Sequence, residues 1–272
     1  MKYIVLGPEG TFTDLAFQHF KSDQDQVTYE DSIEKVLRHL EQHDYAIIPI
    51  ENTLEGYIQP SLDGLIKHRL YVIDQVQLAI DFSLIGHSTS LQDIKNLYVQ
   101  FAAKGQCQKL IETLDHVKIH VTDNNITGYL QMKKQHVGDA AIIPSHMVNE
   151  SDQVIYHHVA DTSDNWTRFI LVGKKEEYHL TKDMRISLVV TPKKDRPGLL
   201  YDLLGVFKKR NINLTSIMSR PTKSKMGHYH FYIDLIAKDM QIDHILHVID
   251  TLKNEGEVFI YGIYPHREPS EV

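Results

Sequence analysis

Short apolar runs alternate with segments of helical periodicity through roughly the first 160 residues of the chain. Tyr3–Leu6 and Tyr45–Pro49 are apolar runs of the length expected for buried strands, and each precedes a segment with apolar residues at helical spacing, such as Ile58–Lys67. Alternating strands and helices are typical of a mainly parallel sheet covered by helices. The sequence therefore predicts an α/β fold.

The middle of the chain repeats this pattern as a separate lobe. Residues 71–84 alternate less cleanly and are interpreted as an extended crossover, after which further strand and helix patterns run to Asp139–Ile143. Val154–Val159 then returns the chain to the first sheet. An inserted lobe predicts a two-lobed domain with its ligand cleft between the lobes, lobe one being about 1–78 and 155–175 and lobe two about 79–154.

A charged run separates this two-lobed domain, residues 1–175, from the remainder of the chain. Residues 176–183 are interpreted as a linker. From Arg185 to Tyr264 the patterns follow the order β-α-β-β-α-β, which is the ferredoxin-like arrangement. We therefore expect a second, smaller domain at 184–265.

Composition excludes several classes of function. The net charge is −7 without a basic block, which disfavours nucleic-acid binding. The single cysteine, Cys107, excludes an internal disulfide framework and fits a reducing cytoplasm. No apolar stretch has the length needed to span a membrane, and the 17 histidines include no H-E-x-x-H motif, so neither a membrane segment nor a metal is predicted.

Two polar turns follow the first and second buried strands, where open α/β sheets bind ligands. The Gly7–Thr13 turn offers backbone N–H groups and hydroxyls to an anion, or is an ordinary strand–helix turn with Thr13 as the N-cap. In the second turn Asn52 and Thr53 are candidates for ligand contact. Glu51 and Glu55 suggest acid–base chemistry, although for Glu55 support of the N-terminus of the next helix is the favoured interpretation.

The third polar stretch is Asp164–Phe169, which holds the only Trp of the chain. It places an amide, an alcohol and a guanidinium at the mouth of a buried strand. Trp166 alternates with Thr167 and is assigned to packing.

These three stretches, Gly7-Pro-Glu-Gly-Thr-Phe-Thr13, Pro49-Ile-Glu-Asn-Thr-Leu-Glu-Gly56 and Asn165-Trp-Thr-Arg-Phe169, resemble in order and spacing the signature motifs of the prephenate dehydratase family. The C-terminal unit is similar to that family's ACT regulatory domain, through Pro197-Gly-Leu-Leu-Tyr201 and Asn213–Pro221. The resemblance implies a periplasmic-binding-protein-like catalytic domain followed by an ACT domain. It also implies the monofunctional form, since no chorismate mutase domain precedes Met1.

The sequence departs from the family pattern at three places. Residues 101–107 keep only Gln106-Cys107 of a His-Pro-Gln-Ala-Gln-Cys pattern, and 124–127 replace a Ser-Thr-Ala helix start. Met218 stands where the family has an acidic residue. The first two affect contacts expected from lobe two, and the third affects effector binding.

The resemblance implies conversion of prephenate to phenylpyruvate, CO2 and water without a cofactor or metal. Thr167 is then expected at the leaving hydroxyl as a hydrogen-bond donor or proton relay. Arg168 is expected on a substrate carboxylate. The remaining substrate contacts are assigned to Thr11, Glu51, Asn52, Thr53 and, packing beneath, Phe169.

One geometric conflict stays open in this assignment. Thr167 and Arg168 are neighbours on a strand, so their side chains face opposite ways. Both can serve one site only if the strand has ended or twisted there. Otherwise Arg168 is structural and pairs with Glu51.

The resemblance also implies feedback regulation by L-phenylalanine at a shared ACT interface in a homodimer or homotetramer. The residues expected to line that effector site are Pro197, Gly198, Leu199, Leu200, Asn213 and Leu214. Two alternatives remain: an arogenate dehydratase, in which Glu51 or Glu55 would meet the substrate amine, and a non-enzymatic two-lobed ligand-binding sensor.

Overall fold

The computed structural model describes residues 1–268 except 135–136, 178, 180, 223–226 and 239–241, and it describes no side chains for 242–244. The N-terminal part consists, in chain order, of β1 (Lys2–Leu6), α1 (Phe12–Gln18), β2 (Gln26–Glu30), α2 (Ile33–His39), β3 (Tyr45–Asn52), β4 (Gly56–Tyr57), α3 (Gln59–Lys67) and β5 (Tyr71–Ala79).

The inserted lobe follows β5 directly. Its elements are β6 (Phe82–Gly86), β7 (Asn96–Gln100), α4 (Phe101–Gln106), α5 (Gln108–Glu112), β8 (Lys118–Thr122), α6 (Asn125–Met132), β9 (Asp139–Pro144) and β10 (Val154–Tyr156). Strand β11 (Trp166–Gly173) then returns to the first sheet. The C-terminal unit comprises β12 (Met184–Pro192), α7 (Leu199–Lys209), β13 (Leu214–Pro221), β14 (Tyr229–Ala237), α8 (Ile242–Leu252) and β15 (Gly256–Pro265).

Two sheets organise these elements. Lobe two holds the order β10-β6-β9-β7-β8, and the larger sheet runs β13-β14-β12-β15-β5-β11-β3-β1-β2, with β4 beside β3. The C-terminal βαββαβ unit therefore continues the sheet of lobe one, through a parallel contact of Gly262 with Val72. The predicted fold class, a two-lobed α/β domain followed by a βαββαβ unit, is confirmed.

The lobes are joined by two chain crossings, β5 to β6 and β10 to β11, which lie side by side. The Ile80 N–H donates to the Asn165 carbonyl at 2.7 Å, and the Val159 N–H donates to the Phe82 carbonyl at 2.9 Å. Phe169 and Leu171 of β11 pack beneath α1, whereas Ile170 packs in a core shared with the C-terminal unit. The catalytic candidate Thr167 thus lies near the start of β11, a strand that packs against other residues on both faces.

Several predicted elements are corrected. Residues 71–84, interpreted as a crossover, form the two strands β5 and β6, and Leu91–Asp93 forms a single 3₁₀ turn. Strand β2 was not predicted, because its sequence Gln-Val-Thr-Tyr-Glu lies at the sheet edge without a buried apolar face. Helix α4 was also not predicted. Among the described residues no helix is long and apolar enough to cross a membrane.

Candidate active site

The central element of the candidate site is the antiparallel pair formed by β3 and β11. Strand β3 runs on through Asn52 rather than ending at Pro49, so Glu51 and Asn52 lie in the strand and not in a turn. Thr167 stands opposite Asn52, and Arg168 stands opposite Glu51. Successive residues of a strand point to opposite faces. The ladder therefore presents the Thr167–Asn52 pair on one face and the Arg168–Glu51 pair on the other.

Asn52 holds the Thr167 hydroxyl in a defined hydrogen-bonding role. Its Oδ1 accepts the backbone N–H groups of Leu54 at 2.9 Å and Glu55 at 3.1 Å, so its Nδ2 must be the donor to Thr167 Oγ1, at 2.9 Å. The Thr167 hydroxyl consequently accepts from Asn52, and no acceptor for its own proton lies within the described part of the chain. That proton is available to a ligand.

A chain of amides connects this pair to lobe two. Asn165 is fully buried; its Oδ1 accepts from Asn52 Nδ2 at 2.8 Å, and its Nδ2 donates to Gln106 Oε1 at 2.8 Å. Gln106 ends helix α4, so it connects lobe two to the Asn52–Thr167 pair through Asn165. Neither Asn165 nor Gln106 was assigned to the site from sequence, although both stand inside the family motifs.

Thr53 has a structural task at the edge of the same pair. Its hydroxyl donates to the Asp164 carbonyl and accepts the Trp166 N–H, both at 2.9 Å. The backbone N–H of Thr53 also donates to the Trp166 carbonyl at 2.9 Å. Because its hydroxyl proton is already used, Thr53 holds the segment leading into β11, and ligand contact by its side chain stays a prediction.

Thr11 lies on the loop that approaches lobe two from the other side. It is the N-cap of α1, accepting the Asp14 N–H at 3.3 Å, so the alternative that placed Thr13 at this cap is wrong. The Gly10 carbonyl contacts His146 Nε2 at 3.0 Å, and Phe12 meets the His146 ring at 4.9 Å. Burial lowers the pKa of His146. This loop and lobe two therefore close one end of the cleft.

Arg168 and Glu51 lie on the opposite face of the ladder, away from Thr167. Arg168 Nε and Nη2 donate to Glu51 Oε2 at 3.1 and 2.8 Å, and Nη2 also donates to Asp234 Oδ2 at 3.0 Å. Arg168 is 4% exposed. The prediction that Arg168 and Glu51 contact substrate is corrected, and the alternative of a structural Arg168 paired with Glu51 is the one observed. Alternation along β11 directs Arg168 into the contact with the C-terminal unit, and the irregular pairing of β3 between Pro49 and Glu51 turns Glu51 to the same face.

Phe169 is a core residue rather than a wall of the cleft. It is 2% exposed and packs with Tyr3, Phe17 and Leu78 beneath α1. Its assignment as a substrate contact is corrected to support of the strand that carries Thr167.

The residues predicted for an effector site lie at two separate places in the C-terminal unit. Gly198 adopts φ +79° as the N-cap of α7, with Pro197 and Leu200 exposed beside it. Asn213 is exposed at the start of β13, beyond the other end of α7. An 11-residue helix is about 16 Å long. One chain alone therefore does not bring these residues together, and Leu199 and Leu214 pack against the core.

No group of three or more histidine, cysteine, aspartate or glutamate side chains able to hold a metal occurs among the residues that the structure describes. Cys107 is buried and unpaired, and burial raises its pKa to about 12. Hydroxyl and amide groups are thus the polar chemistry of the Thr167 face.

The fold and site define a class of protein: a two-lobed α/β domain with a hydroxyl–amide site at its interlobe cleft, joined to a ferredoxin-like unit. The prephenate dehydratase family model matches residues 3–177, and the ACT domain model matches residues 193–254. The chain belongs to the prephenate dehydratase family, with a C-terminal ACT domain.

Individual relatives are similar to this chain in sequence and structure over almost its whole length. A prephenate dehydratase of Methanocaldococcus jannaschii is 30% identical over 95% of this chain and 96% of its own length. The crystal structure of a Staphylococcus aureus prephenate dehydratase matches with a TM-score of 0.85 and 29% identity, covering 97% of this chain and 100% of that one. An Arthrobacter aurescens prephenate dehydratase in complex with L-Phe matches with a TM-score of 0.84 and 26% identity, covering 99% and 92%.

Proposed function

We propose that this chain converts prephenate to phenylpyruvate, with loss of CO2 and water, and that Thr167 is its catalytic residue. The observation that carries the assignment is the Thr167 hydroxyl, which accepts from Asn52 and keeps its own proton for a ligand. Family membership supplies the reaction, and this geometry supplies the group that the reaction requires.

The reaction needs a hydrogen-bond donor at one particular oxygen. The bond between the ring and its carboxylate breaks, its electron pair enters the ring as the ring becomes aromatic, and the carbon–oxygen bond of the ring hydroxyl breaks at the opposite carbon. The departing hydroxide takes up one proton and leaves as water. The pKa of an alcohol is too high for Thr167 to act as an efficient acid alone, so it donates a hydrogen bond or relays a proton from water.

The neutral surroundings of Thr167 favour loss of the ring carboxylate. Thr167 is 7% exposed, and its neighbours Asn52 and Asn165 are uncharged amides. A carboxylate loses its charge more readily in a site with little water, where the CO2 product has no need of solvation. Thr11, at the lobe-one side of the cleft, remains the proposed polar contact for prephenate, and Asn52 acts on the substrate through the Thr167 hydroxyl that it orients.

The orientation of Glu51 favours prephenate over arogenate as substrate. An arogenate dehydratase needs an anionic partner for the substrate amine, and Glu51 is engaged by Arg168 on the far face of the ladder. Glu55 is exposed on the turn after β3. Comparing kcat/KM on the two substrates tests this preference, and a higher value on arogenate would contradict it.

Turnover of prephenate by the purified protein, followed as phenylpyruvate formation, tests the assignment. Thr167→Ala should lower kcat by about 10²- to 10⁴-fold with little change in melting temperature. Thr113→Ala is the matched control, because this exposed hydroxyl donates only to a nearby backbone carbonyl within its own helix turn. No turnover by the wild type contradicts the enzymatic function and favours a ligand-binding sensor. Unchanged turnover in Thr167→Ala contradicts the role of Thr167 alone.

We further propose that L-phenylalanine regulates the enzyme at an interface between two ACT domains. A relative of 26% identity has been crystallised with L-Phe. Because Gly198 and Asn213 stand at opposite ends of α7, an antiparallel pairing of two chains would place Pro197–Leu200 of one chain near Asn213 of the other. A homodimer or homotetramer is therefore the proposed assembly. Sedimentation analysis and phenylalanine titration test it; a monomer whose activity and melting temperature ignore phenylalanine contradicts it.

The domain limits and the compartment complete the proposal. The catalytic domain is assigned to 1–175, the linker to 176–183 and the ACT domain to 184–265. Limited proteolysis within the linker, read by mass spectrometry, tests these limits.

Cytoplasmic location is supported by the single unpaired and buried cysteine. Fractionation of cells producing the protein checks it.

A further inference from the structure

The guanidinium of Arg168 is enclosed by groups that the ACT domain and lobe one both contribute. Its Nη2 donates to Asp234 Oδ2 at 3.0 Å, and its Nη1 donates to the Tyr264 hydroxyl at 2.9 Å. Asp234 is 2% exposed and Tyr264 is 1% exposed. Lobe one contributes Glu51 and a longer contact from Tyr57. The position of Arg168 is therefore set from both domains at once.

The two ACT groups are themselves held in place. Asp234 Oδ2 accepts from the Tyr57 hydroxyl at 2.8 Å and from Arg185 Nη1 at 3.3 Å. The Tyr264 hydroxyl shares a hydrogen bond of 3.0 Å with Ser187. A planar guanidinium between fixed acceptors has one preferred position, since each N–H direction is defined. This network can therefore hold the backbone of β11 at Arg168.

The backbone held in this way is also the backbone of the catalytic pair. Arg168 and Glu51 are the next cross-strand pair after Thr167 and Asn52, on the same two strands and facing the other way. A shift of Arg168 along or across β11 must move Thr167 relative to Asn52, because one peptide unit joins the two residues. The register irregularity between Arg168 and Phe169 lies at this point of the ladder.

We propose that Asp234 and Tyr264 of the ACT domain are positioning residues for Thr167 and act on it through Arg168. The proposal rests on the proposed function, in which Thr167 meets the leaving hydroxyl. An effect on catalysis is expected because misplacement of a reacting group by about 1 Å can lower a rate by about 100-fold. The ACT domain thus contributes to the geometry of a site that none of its residues touches.

The charge of Asp234 supports this role. Burial by itself raises the pKa of this carboxyl, but the Arg168 and Arg185 guanidiniums outweigh burial and hold the pKa below its usual range. Asp234 is therefore an anion at neutral pH. Replacing it with Asn keeps the shape of the side chain and removes the charge that the guanidinium meets.

Steady-state kinetics on prephenate with the full-length chain test the proposal. Asp234→Asn should lower kcat at least 10-fold while KM changes less than about twofold, because substrate contacts are intact and only Thr167 is displaced. Tyr264→Phe removes one acceptor and should lower kcat about threefold. Glu257→Gln is the matched control: it removes an exposed ion pair between Arg69 and the ACT domain, and it should keep wild-type kinetics.

A double-mutant cycle separates positioning from general damage. Tyr264→Phe should lower kcat in the wild-type background and cause no further loss in Arg168→Lys, since both changes disturb one contact. Independent, multiplicative losses overturn the proposal. A loss of kcat that only follows the unfolded fraction, read by thermal melting, overturns it as well. If Asp234→Asn does not fold, Tyr264→Phe and its cycle decide the matter.

The failure of this inference differs from the failure of the proposed function. A wild type that does not turn over prephenate removes both. A wild type that is active, with Thr167→Ala inactive and with Asp234→Asn and Tyr264→Phe unimpaired in kcat, overturns the positioning role alone.

Discussion

The two faces of the β3–β11 ladder carry neighbouring residues of the same motifs, yet they use opposite chemistry. On the cleft face Thr167, Asn52 and Asn165 form a chain of neutral hydrogen bonds whose last proton is left for a ligand. On the other face Arg168 and Glu51 join a charged network of hydrogen bonds within the protein. Arg168, the charged residue of the two neighbours, therefore faces away from the cleft, and the neutral Thr167 faces it.

The buried ion pairs of Arg168 and the neutral hydroxyl of Thr167 suit different tasks. A buried ion pair is costly to break, because removal of one partner leaves the other without compensation in a medium of low dielectric. Such a pair is suited to hold two domains in a fixed relative orientation. A neutral hydroxyl has little intrinsic acidity, but it can donate a hydrogen bond to a developing negative charge without a prior partner to displace. The residue that contributes to stability, Arg168, and the residue proposed for the chemistry, Thr167, are thus direct neighbours in the chain.

The largest expected effect is on stability and belongs to the charged face. Arg168→Met should lower the free energy of unfolding by about 3–5 kcal/mol, since Asp234 loses its closest cation in a buried site. Thr167→Val, of similar shape on the other face, removes one neutral hydrogen bond from Asn52 Nδ2 and should lower it by about 1–3 kcal/mol. Urea unfolding followed by circular dichroism measures both. Equal losses in the two variants would remove the distinction between the faces.

The next effect is on catalysis and belongs to the neutral face. Asn52→Asp keeps an acceptor for Leu54 and Glu55 but cannot donate to Thr167, so the Thr167 proton turns toward the new carboxylate. Loss of a correctly oriented donor typically lowers kcat by about 10²- to 10³-fold. Asn52→Asp should show such a loss on prephenate at neutral pH. Wild-type kcat in this variant would show that the orientation of the Thr167 hydroxyl is immaterial.

Alternation along β11 determined how much of this site could be predicted. The sequence placed Thr167 and Arg168 on opposite faces, kept Thr167 as the catalytic residue and left open whether Arg168 also serves the site, because the end of a strand cannot be located from its residues alone. Strand β3 continues through Asn52 with an irregular pairing after Pro49, and this irregularity turns Glu51 to the face of Arg168. The resemblance identified both motifs, but it did not show which side chains the inserted lobe or the ACT domain would meet.

Long-range contacts account for what the sequence did not predict. Gln106 and Asn165 are far apart in the chain and share a hydrogen bond only after lobe two has returned to lobe one. Asp234 lies on a strand whose alternating apolar residues predicted β structure without indicating a partner on another domain. By contrast, the βαββαβ order was predictable, because each of its elements is specified by local periodicity.

Acid should weaken the charged face more than the neutral one. The folded-state pKa of Asp234 lies below its unfolded value, so its ionisation stabilises the fold above the unfolded pKa of about 3.9, and this stabilisation is lost as pH falls through the folded pKa. The free energy of unfolding should fall below about pH 4 in the wild type and more shallowly in Asp234→Asn. Urea titrations between pH 3 and pH 7 test the difference. Parallel curves would show that Asp234 has no altered pKa.

The smallest effect is expected from the exposed ion pair that joins the same two domains. Arg69 and Glu257 are 57% and 61% exposed as side chains, so solvent and salt screen their attraction. Glu257→Gln should lower the free energy of unfolding by less than about 1 kcal/mol, and the difference should shrink at high ionic strength. Urea unfolding at two salt concentrations measures it. If Glu257→Gln lowered the free energy of unfolding as much as Arg168→Met, exposed charges would hold the two domains together. That result would contradict the role given to the buried network.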